Sequence, residues 1–279
     1  MALHSGGAAS LYGIGAVLFV WHSSGGAAVS REGWLALAGA AAVVWGVYAI
    51  DRVKLRDAWR EPGDGSGLRK WVVRRHGRWL RTMAAMMVLV GSVLLGLAAW
   101  QLAGLGLLGV GAVLAYDGRP HASQTGRGVR VGSLKRSAAA KNGMVAVAYV
   151  VLAGSVSAAL SGQAIAGVLA ALFVRVLIDA ALCDLDDIDA DRAAGVTTLG
   201  TSLGRRRALA VLTAAELGPL ALLGMAGTEW AAGVTVYGVT PLASTLAAAM
   251  IDRLRLTDLV DMRLGVLGLL AVLIHAAPA

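Results

Sequence analysis

Nine separate stretches of this sequence are candidate membrane helices, which need about 20 predominantly apolar residues each, although the fourth is short. They are residues 10–28, 33–50, 80–100, 102–116, 143–160, 163–183, 208–227, 230–250 and 259–277. Charged residues make up only 15% of the chain, whereas soluble domains average about 25%. The sequence therefore predicts an all-α integral membrane bundle of nine transmembrane helices, forming a single domain over residues 1–279. It excludes a disordered chain, a coiled coil and an ordinary cytosolic enzyme.

Basic residues are concentrated in one set of connections between the spans. Of the 25 Lys and Arg residues, 23 lie in four segments, each joining an even-numbered span to the next odd-numbered one. The segments are residues 52–81, 119–141, 192–207 and 253–263. Because cytoplasmic loops carry an excess of Lys and Arg, we expect all four on the cytoplasmic side of the cell membrane. The N-terminus is then outside and the C-terminus is inside, and Arg253, Arg255 and Arg263 flank the last cytoplasmic connection.

The partners expected from this charge pattern are lipids and not nucleic acid. The net charge is +8, but the basic residues alternate with apolar spans instead of forming one basic domain. The two longest basic connections, residues 52–79 and 117–142, hold most of the polar side chains, so the working face is expected to be cytoplasmic. The single cysteine, Cys183, rules out an internal disulfide framework.

Five Asp residues fall within eight positions directly after the sixth span. Asp184, Asp187 and Asp191 are spaced i, i+3 and i+7, which places them on one face if the segment is helical. An all-oxygen face without His or Cys suits Mg²⁺, which binds through a few carboxylates together with substrate phosphates. This arrangement predicts a phosphate-bearing lipid substrate, with a solvated surface run as the alternative. Asp186 and Asp189 lie off that face and are expected to be solvated or paired with Arg.

The residues after this cluster carry a more specific pattern. In the stretch DIDADRAAGVTTL, residues 187–199, Asp187, Asp191, Gly195 and Thr198 fit D-x-x-x-D-x-x-x-G-x-x-[ST] in register. This resembles the second aspartate motif of the UbiA superfamily, intramembrane prenyltransferases with nine helices. With the number of spans, the resemblance extends over nearly the whole chain. It implies a Mg²⁺-dependent enzyme that acts on an isoprenoid diphosphate, with Asp187 and Asp191 as catalytic metal ligands and Asp184 beside them.

The resemblance also implies a first aspartate motif at the end of the second span, where the family has N-D-x-x-D-x-x-x-D or a variant. Asp51 and Asp57 are present there, but Asn is not, since Asn142 is the only Asn in the chain. Asp51 is expected to be a catalytic metal ligand, Asp57 a further ligand for metal or substrate, and Tyr48 part of the pocket. Six residues correspond to about 120° around a helix, so Asp51 and Asp57 converge only if the helix ends or bends between them.

A third element, SLKRSAAAKN at residues 133–142, resembles the Lys-Arg element that precedes the fifth helix in this family. The resemblance implies that Lys135, Arg136 and Lys141 bind the diphosphate. Pyrophosphate carries about three negative charges, which Lys and Arg beside Mg²⁺ neutralise as the C–O bond breaks. A membrane topology signal alone would also place some basic residues here.

Three further charged residues lie inside apolar spans. Arg175 and Asp179 are spaced i, i+4 in the sixth span, and Glu216 lies in the seventh. Charges at membrane depth are costly and face the protein interior or a watery cavity. Arg175 and Asp179 form either a self-neutralising pair that packs the bundle or, for Arg175, part of the chamber that holds substrate. Glu216 is expected to have a hydrogen-bonded structural role.

The function expected from these features is transfer of a prenyl group from an isoprenoid diphosphate to an acceptor that the sequence does not specify. The close alternative is a terpene cyclase of the same fold, in which a double bond of the same prenyl chain attacks the cation. The altered first motif leaves that alternative open. A transporter or lipid-binding protein is the third possibility, although the sequence has no convincing internal repeat of the kind that many transporters show.

Overall fold

The computed structural model describes residues 2–23, 30–53, 67–116, 138–162, 164–225 and 239–250, together with Leu256, Leu259, Val260, Arg263 and Val266. These residues form helices joined by turns, with no β-strand among them. The helices are α1 (Ala2–Ser23), α2 (Arg31–Val53), α3 (Gly67–Ala98), α4 (Leu105–Tyr116), α5 (Ala138–Ser161), α6 (Ala166–Asp184), α7 (Ile188–Ala194), α8 (Leu199–Leu203), α9 (Arg205–Ala215), α10 (Leu217–Met225) and α11 (Thr240–Met250). A short 3₁₀ turn, Trp100–Leu102, precedes α4.

Five helical segments of the described chain are long and apolar enough to cross a membrane. They are Arg31–Asp51, Arg75–Ala98, Asn142–Ser161, Ala166–Asp184 and Arg205–Met225. Two shorter apolar segments, Ala9–Trp21 and Trp100–Leu114, coincide with the first and fourth predicted spans. The all-helical architecture is therefore confirmed. The number of nine stays a prediction, because most of residues 230–277 lies outside the described residues.

Small residues bring α2 and α3 into close contact. A Cβ atom added to Gly91 would lie 2.7 Å from the Gly39 carbonyl oxygen, and one added to Gly39 would lie 2.9 Å from the Gly91 oxygen. Further along α2, about two helical turns after Gly39, a Cβ added to Gly46 would lie 2.7 Å from the Ala84 carbonyl oxygen. Between lipid-embedded helices this close packing replaces the hydrophobic driving force that acts in water. Glycine at these positions is therefore required by the approach of the two backbones.

Helix α3 begins earlier than the sequence predicted. The connection 52–79 was expected to be a loop, but helix extends back to Gly67 and gives α3 32 residues. At 1.5 Å per residue its length is about 48 Å, which exceeds the roughly 30 Å hydrocarbon core. Arg and Lys are good helix formers, so this basic segment continues the apolar span as a helix. Arg78, Trp79 and Arg81 are exposed along it.

Helix α6 belongs to both hydrophobic cores of the described structure. The first core packs Leu172 and Val176 of α6 against side chains of α1, α2 and α5. The second packs Ile178 and Leu182 of α6 against α9 and against Leu256 near the end of the described chain. Because neighbours hold α6 along most of its length, its C-terminal end provides a fixed support for the acidic residues that follow.

Candidate functional site

The acidic cluster lies at the junction between α6 and α7. Helix α6 ends at Asp184, and the next residues form a tight turn in which the N–H of Asp187 donates to the Asp184 carbonyl oxygen at 3.3 Å. Helix α7 then starts at Ile188, and the Asp191 N–H bonds the Asp187 oxygen at 2.8 Å. Asp184 is buried, Asp187 is exposed and Asp191 is half-buried.

The expectation that Asp184, Asp187 and Asp191 share one face of a continuous helix is therefore wrong. They lie on α6, on the turn and on α7 in that order. Five neighbouring carboxylates repel one another, and Asp competes with helical hydrogen bonding and favours helix ends. Both effects explain a break in the helix at this point. The break gives the three carboxylates different burial while keeping them at one junction.

Gly195 and Thr198, the remaining residues of the spaced pattern, determine how the chain turns after the carboxylates. Gly195 ends α7 with φ of +68°, a conformation that favours glycine. Thr198 begins α8 with a reciprocal cap, in which its Oγ1 accepts from the Thr201 N–H at 3.0 Å and its N–H donates to Thr201 Oγ1 at 2.8 Å. The pattern therefore combines two acidic residues with the two turn residues that fold the chain back.

Arg side chains pair with the two Asp residues that were expected to lie off the ligand face. Arg205 Nη1 donates to Asp186 Oδ1 at 3.0 Å. Arg192 Nη1 lies 3.2 Å from Asp189 Oδ1, and both side chains of that pair are largely exposed. These contacts confirm the expected Arg pairing. Because each is paired with Arg, Asp186 and Asp189 are not counted among the candidate metal ligands.

Asn142 contacts the acidic cluster, although it was not among the residues predicted for the site. It lies in the first turns of α5, and its Nδ2 donates to Asp184 Oδ2 at 2.9 Å. Asn142 and Asp184 are each only 6% exposed. The Oδ1 atom of Asn142 is buried and has no hydrogen-bond partner within the described part of the chain. The available sequence signals were an isolated amide directly before an apolar span and its place at the end of the element at residues 133–142, and neither indicates a contact with Asp184.

The other predicted site residues have different positions in the structure. Tyr48 and Asp51 lie on the last turns of α2, and both are half-buried. Asp57, Lys135 and Arg136 lie outside the described residues. Lys141 lies on α5 beside Asn142, and its side chain is also outside the description. Among the residues that are described, no three His, Cys, Asp or Glu side chains form a group that could hold a metal ion.

A second polar cluster is buried among α6, the α9–α10 junction and α11. Arg175 donates to Asp179 through Nε at 3.1 Å and Nη2 at 2.7 Å, and to Glu216 through Nη1 and, at 2.8 Å, Nη2. Arg263 forms an ion pair with Asp179 and places Nη1 3.5 Å from Glu216 Oε1. Thr245 Oγ1 donates to Glu216 at 2.9 Å. Two cations therefore balance two anions in the interior.

This cluster corrects one expectation and refines another. Arg263 was counted among the basic residues that flank the last cytoplasmic connection, but it is 4% exposed and faces the carboxylates inside the bundle, because two buried anions need a second cation. Every nitrogen of the Arg175 guanidinium contacts Asp179 or Glu216. This favours the packing role of Arg175 over a role in binding diphosphate. Glu216 has the hydrogen-bonded structural position that was expected.

Comparison with known proteins identifies the family. Residues 74–264, more than half of the chain, match the sequence model of the UbiA prenyltransferase family. The chain belongs to the UbiA prenyltransferase family. It is therefore an integral membrane protein and an enzyme of the prenyltransferase type. The matched region includes the second aspartate pattern but begins after Asp51 and Asp57.

Solved structures of UbiA homologues share the fold. A UbiA homologue from Archaeoglobus fulgidus bound to GPP and Mg²⁺ is 16% identical, with 98% of this chain and 96% of that chain covered and a TM-score of 0.67. The same homologue bound to DMAPP and Mg²⁺ is also 16% identical, with 98% of this chain and 95% of that chain covered and a TM-score of 0.66. The apo UbiA homologue from Aeropyrum pernix K1 is 16% identical, with 98% of each chain covered and a TM-score of 0.51. No curated protein sequence matches the chain.

The α6–α7 junction of this UbiA family member fits a Mg²⁺ ion in its chemistry. The donors offered are carboxylate and amide oxygens, which a hard cation prefers. The buried Asn142 Oδ1 is an acceptor that a water on such an ion could satisfy. Mg²⁺ keeps several waters and needs only one or two protein carboxylates when substrate phosphates complete its coordination. A site without three clustered protein ligands is therefore compatible with this ion.

Proposed function

We propose that the protein is a Mg²⁺-dependent intramembrane prenyltransferase. It ionises an isoprenoid diphosphate, transfers the prenyl group to an acceptor and releases diphosphate. The observation that carries the proposal is the set of carboxylates at the α6–α7 junction, in register with the second aspartate motif at the end of a membrane-spanning helix. The Archaeoglobus fulgidus homologue, bound to Mg²⁺ with DMAPP or GPP, supports this class of substrate.

The proposed roles follow from charge. Asp187, Asp191 and Asp51 from α2 would be the principal Mg²⁺ ligands, with Asp184 and Asp57 assisting them. Because no three of the described carboxylates form one group, we propose that at most two of them bind the same ion and that substrate phosphates complete its coordination. The bound ion neutralises the negative charge on the diphosphate. Lys135, Arg136 and Lys141 add positive charge at the leaving group. Arg175 was included among the possible substrate contacts, but its pairing with two carboxylates supports a structural role instead.

In the proposed reaction the allylic C–O bond breaks and both of its electrons stay with the departing diphosphate. The allylic cation that remains is attacked by an electron pair of the acceptor, which then loses a proton. Neutralising the leaving group lowers the barrier to the first step. Water must be excluded, because it would capture the cation. Apolar walls formed by Val, Leu and Ala side chains of the bundle serve this purpose, and Tyr48 contributes to the wall near Asp51.

The test is turnover of DMAPP, GPP and longer prenyl diphosphates in detergent or liposomes, with and without Mg²⁺, followed by mass spectrometry of the products. We expect diphosphate release only with Mg²⁺. Asp187→Ala and Asp191→Ala should each reduce it by about 100-fold or more, since each removes charge from the reacting centre. Asp189→Ala is the matched control, because Asp189 lies in the same cluster but is exposed and paired with Arg192. Full activity of Asp191→Ala in folded protein would contradict the proposal.

A terpene cyclase is the second candidate. It is favoured by one observation, the departure of the first motif at Asp51 from the family pattern. In a cyclase the nucleophile is a double bond of the same chain, so no acceptor is needed. Incubation with a C15 or C20 prenyl diphosphate and no acceptor separates the two. A cyclic hydrocarbon or alcohol indicates the cyclase, and strict dependence on a second substrate indicates transfer.

A further inference from the structure

The hydrogen bond between Asn142 and Asp184 connects two helices at the proposed metal site. Asn142 lies near the start of α5 and Asp184 at the end of α6, and the bond is 2.9 Å long. Both residues are more than nine-tenths buried. Asp184 is the first carboxylate of the acidic cluster, three residues before Asp187. The amide of Asn142 is therefore in direct contact with the residue that leads into the motif.

The chemistry of the pair determines which way the Asn142 amide faces. The Nδ2 atom of Asn142 donates to Asp184 Oδ2, so the NH₂ group of the amide faces Asp184. Oδ1 must then point away from that carboxylate oxygen, and it is buried without a partner among the described residues. Buried polar atoms are nearly always hydrogen-bonded, and an exception commonly marks the place of a water or an ion. The orphan oxygen and the acidic cluster are two independent observations at one place.

We propose that Asn142 is a positioning residue of the diphosphate–Mg²⁺ site. Its Nδ2 holds Asp184 in one orientation, and its Oδ1 accepts a hydrogen bond from a water of the bound cation. The inference rests on the proposed function, since it assigns a residue to the same site. Partners that orient metal ligands typically affect metal affinity by about 10- to 100-fold when they are replaced. A buried amide that only joined two helices would not have this effect.

The experiment measures manganese retained by the purified protein during ultrafiltration with inorganic pyrophosphate, and melting temperature in the same detergent. Asn142→Leu removes the amide at similar volume. The matched control is Ser157→Ala, a fully buried polar residue on the same helix whose hydroxyl lies 3.4 Å from that of Ser161. We expect Asn142→Leu to weaken Mn²⁺ binding about tenfold or more and Ser157→Ala to leave it unchanged. Unchanged Mn²⁺ affinity of folded Asn142→Leu would overturn the inference.

A second variant distinguishes a role of Asn142 in positioning the metal site from a role in joining α5 to α6. It also replaces the first test if Asn142→Leu does not fold. The exchange Asn142→Asp with Asp184→Asn keeps one amide–carboxylate hydrogen bond but moves the carboxylate to α5. We expect the exchange to melt near the wild-type temperature and still bind Mn²⁺ about tenfold more weakly. Wild-type Mn²⁺ affinity in the exchanged protein would overturn the positioning role. A wild-type protein that retained no Mn²⁺ with pyrophosphate would instead contradict the proposed function itself.

Discussion

Arg263 and Arg175 illustrate how the context of a single charged residue determines its role in this protein. Both arginines are buried, and their guanidinium groups contact the same two carboxylates, Asp179 and Glu216. Ions in the interior persist when opposite charges and hydrogen bonds compensate them. This mutual compensation supports a structural role for the interior cluster, and the α6–α7 junction stays the proposed place of substrate chemistry.

Replacing Arg263 by Leu should destabilise the folded protein. The substitution leaves Asp179 and Glu216 with Arg175 alone, and breaking a buried ion pair by removing one partner costs about 3–5 kcal/mol. Denaturant unfolding in detergent micelles measures the change in the free energy of unfolding. Arg192→Leu is the control, because its exposed pair with Asp189 contributes about 0–1 kcal/mol. Equal losses in the two variants would show that the interior cluster does not stabilise the fold.

At the scale of single residues, spacing decided what could be predicted. Asp187, Asp191, Gly195 and Thr198 were recognisable because four residue types recur at fixed intervals, and the structure gives the last two clear conformational roles. Asn142 has no such interval. Its importance follows from a contact with a residue 42 positions away, and only the packing of α5 against α6 brings the two together.

At the scale of helices, the apolar spans predicted where membrane helices lie, and charged residues determined where the prediction was wrong. The sixth predicted span, 163–183, corresponds closely to α6 (Ala166–Asp184). The helix break after Asp184 and the extension of α3 back to Gly67 were missed. Hydropathy reports the hydrocarbon core, whereas these two features depend on carboxylate repulsion and on helix propensity in polar segments.

The α2–α3 crossing leads to a prediction at this scale. Gly91→Ala should destabilise the protein by about 1–3 kcal/mol, as over-packing of tight cores does, because the new Cβ would lie 2.7 Å from the Gly39 oxygen. Gly111→Ala on α4 is the matched control, since no atom lies within 4 Å of its added Cβ. Melting temperatures of both variants in the same detergent test the prediction. Unchanged stability of Gly91→Ala would mean that the two helices separate at little cost.

For the molecule as a whole, the distribution of basic residues relates the fold to the membrane. Apart from Arg263, which is buried, the four basic segments contain 22 of the 25 Lys and Arg residues. The correction therefore leaves the positive-inside argument intact. By this rule, residues 52–66, the extension of α3 and the α6–α7 junction are predicted to lie on the cytoplasmic side of the bilayer. A substrate whose diphosphate lies at the cytoplasmic leaflet would meet all of these segments.

Single-cysteine accessibility tests this topology. Residue 66 lies between α2 and α3, and residue 163 lies between α5 and α6 at the start of the sixth predicted span; both are outside the described residues. In intact cells, a membrane-impermeant maleimide should label Gln163→Cys, because the short connections face outward. Ser66→Cys should react only after the membrane is permeabilised. Native Cys183 is half-buried, and labelling of the unsubstituted protein corrects for it. Labelling of Ser66→Cys from outside would reverse the orientation and move the acidic site to the opposite face.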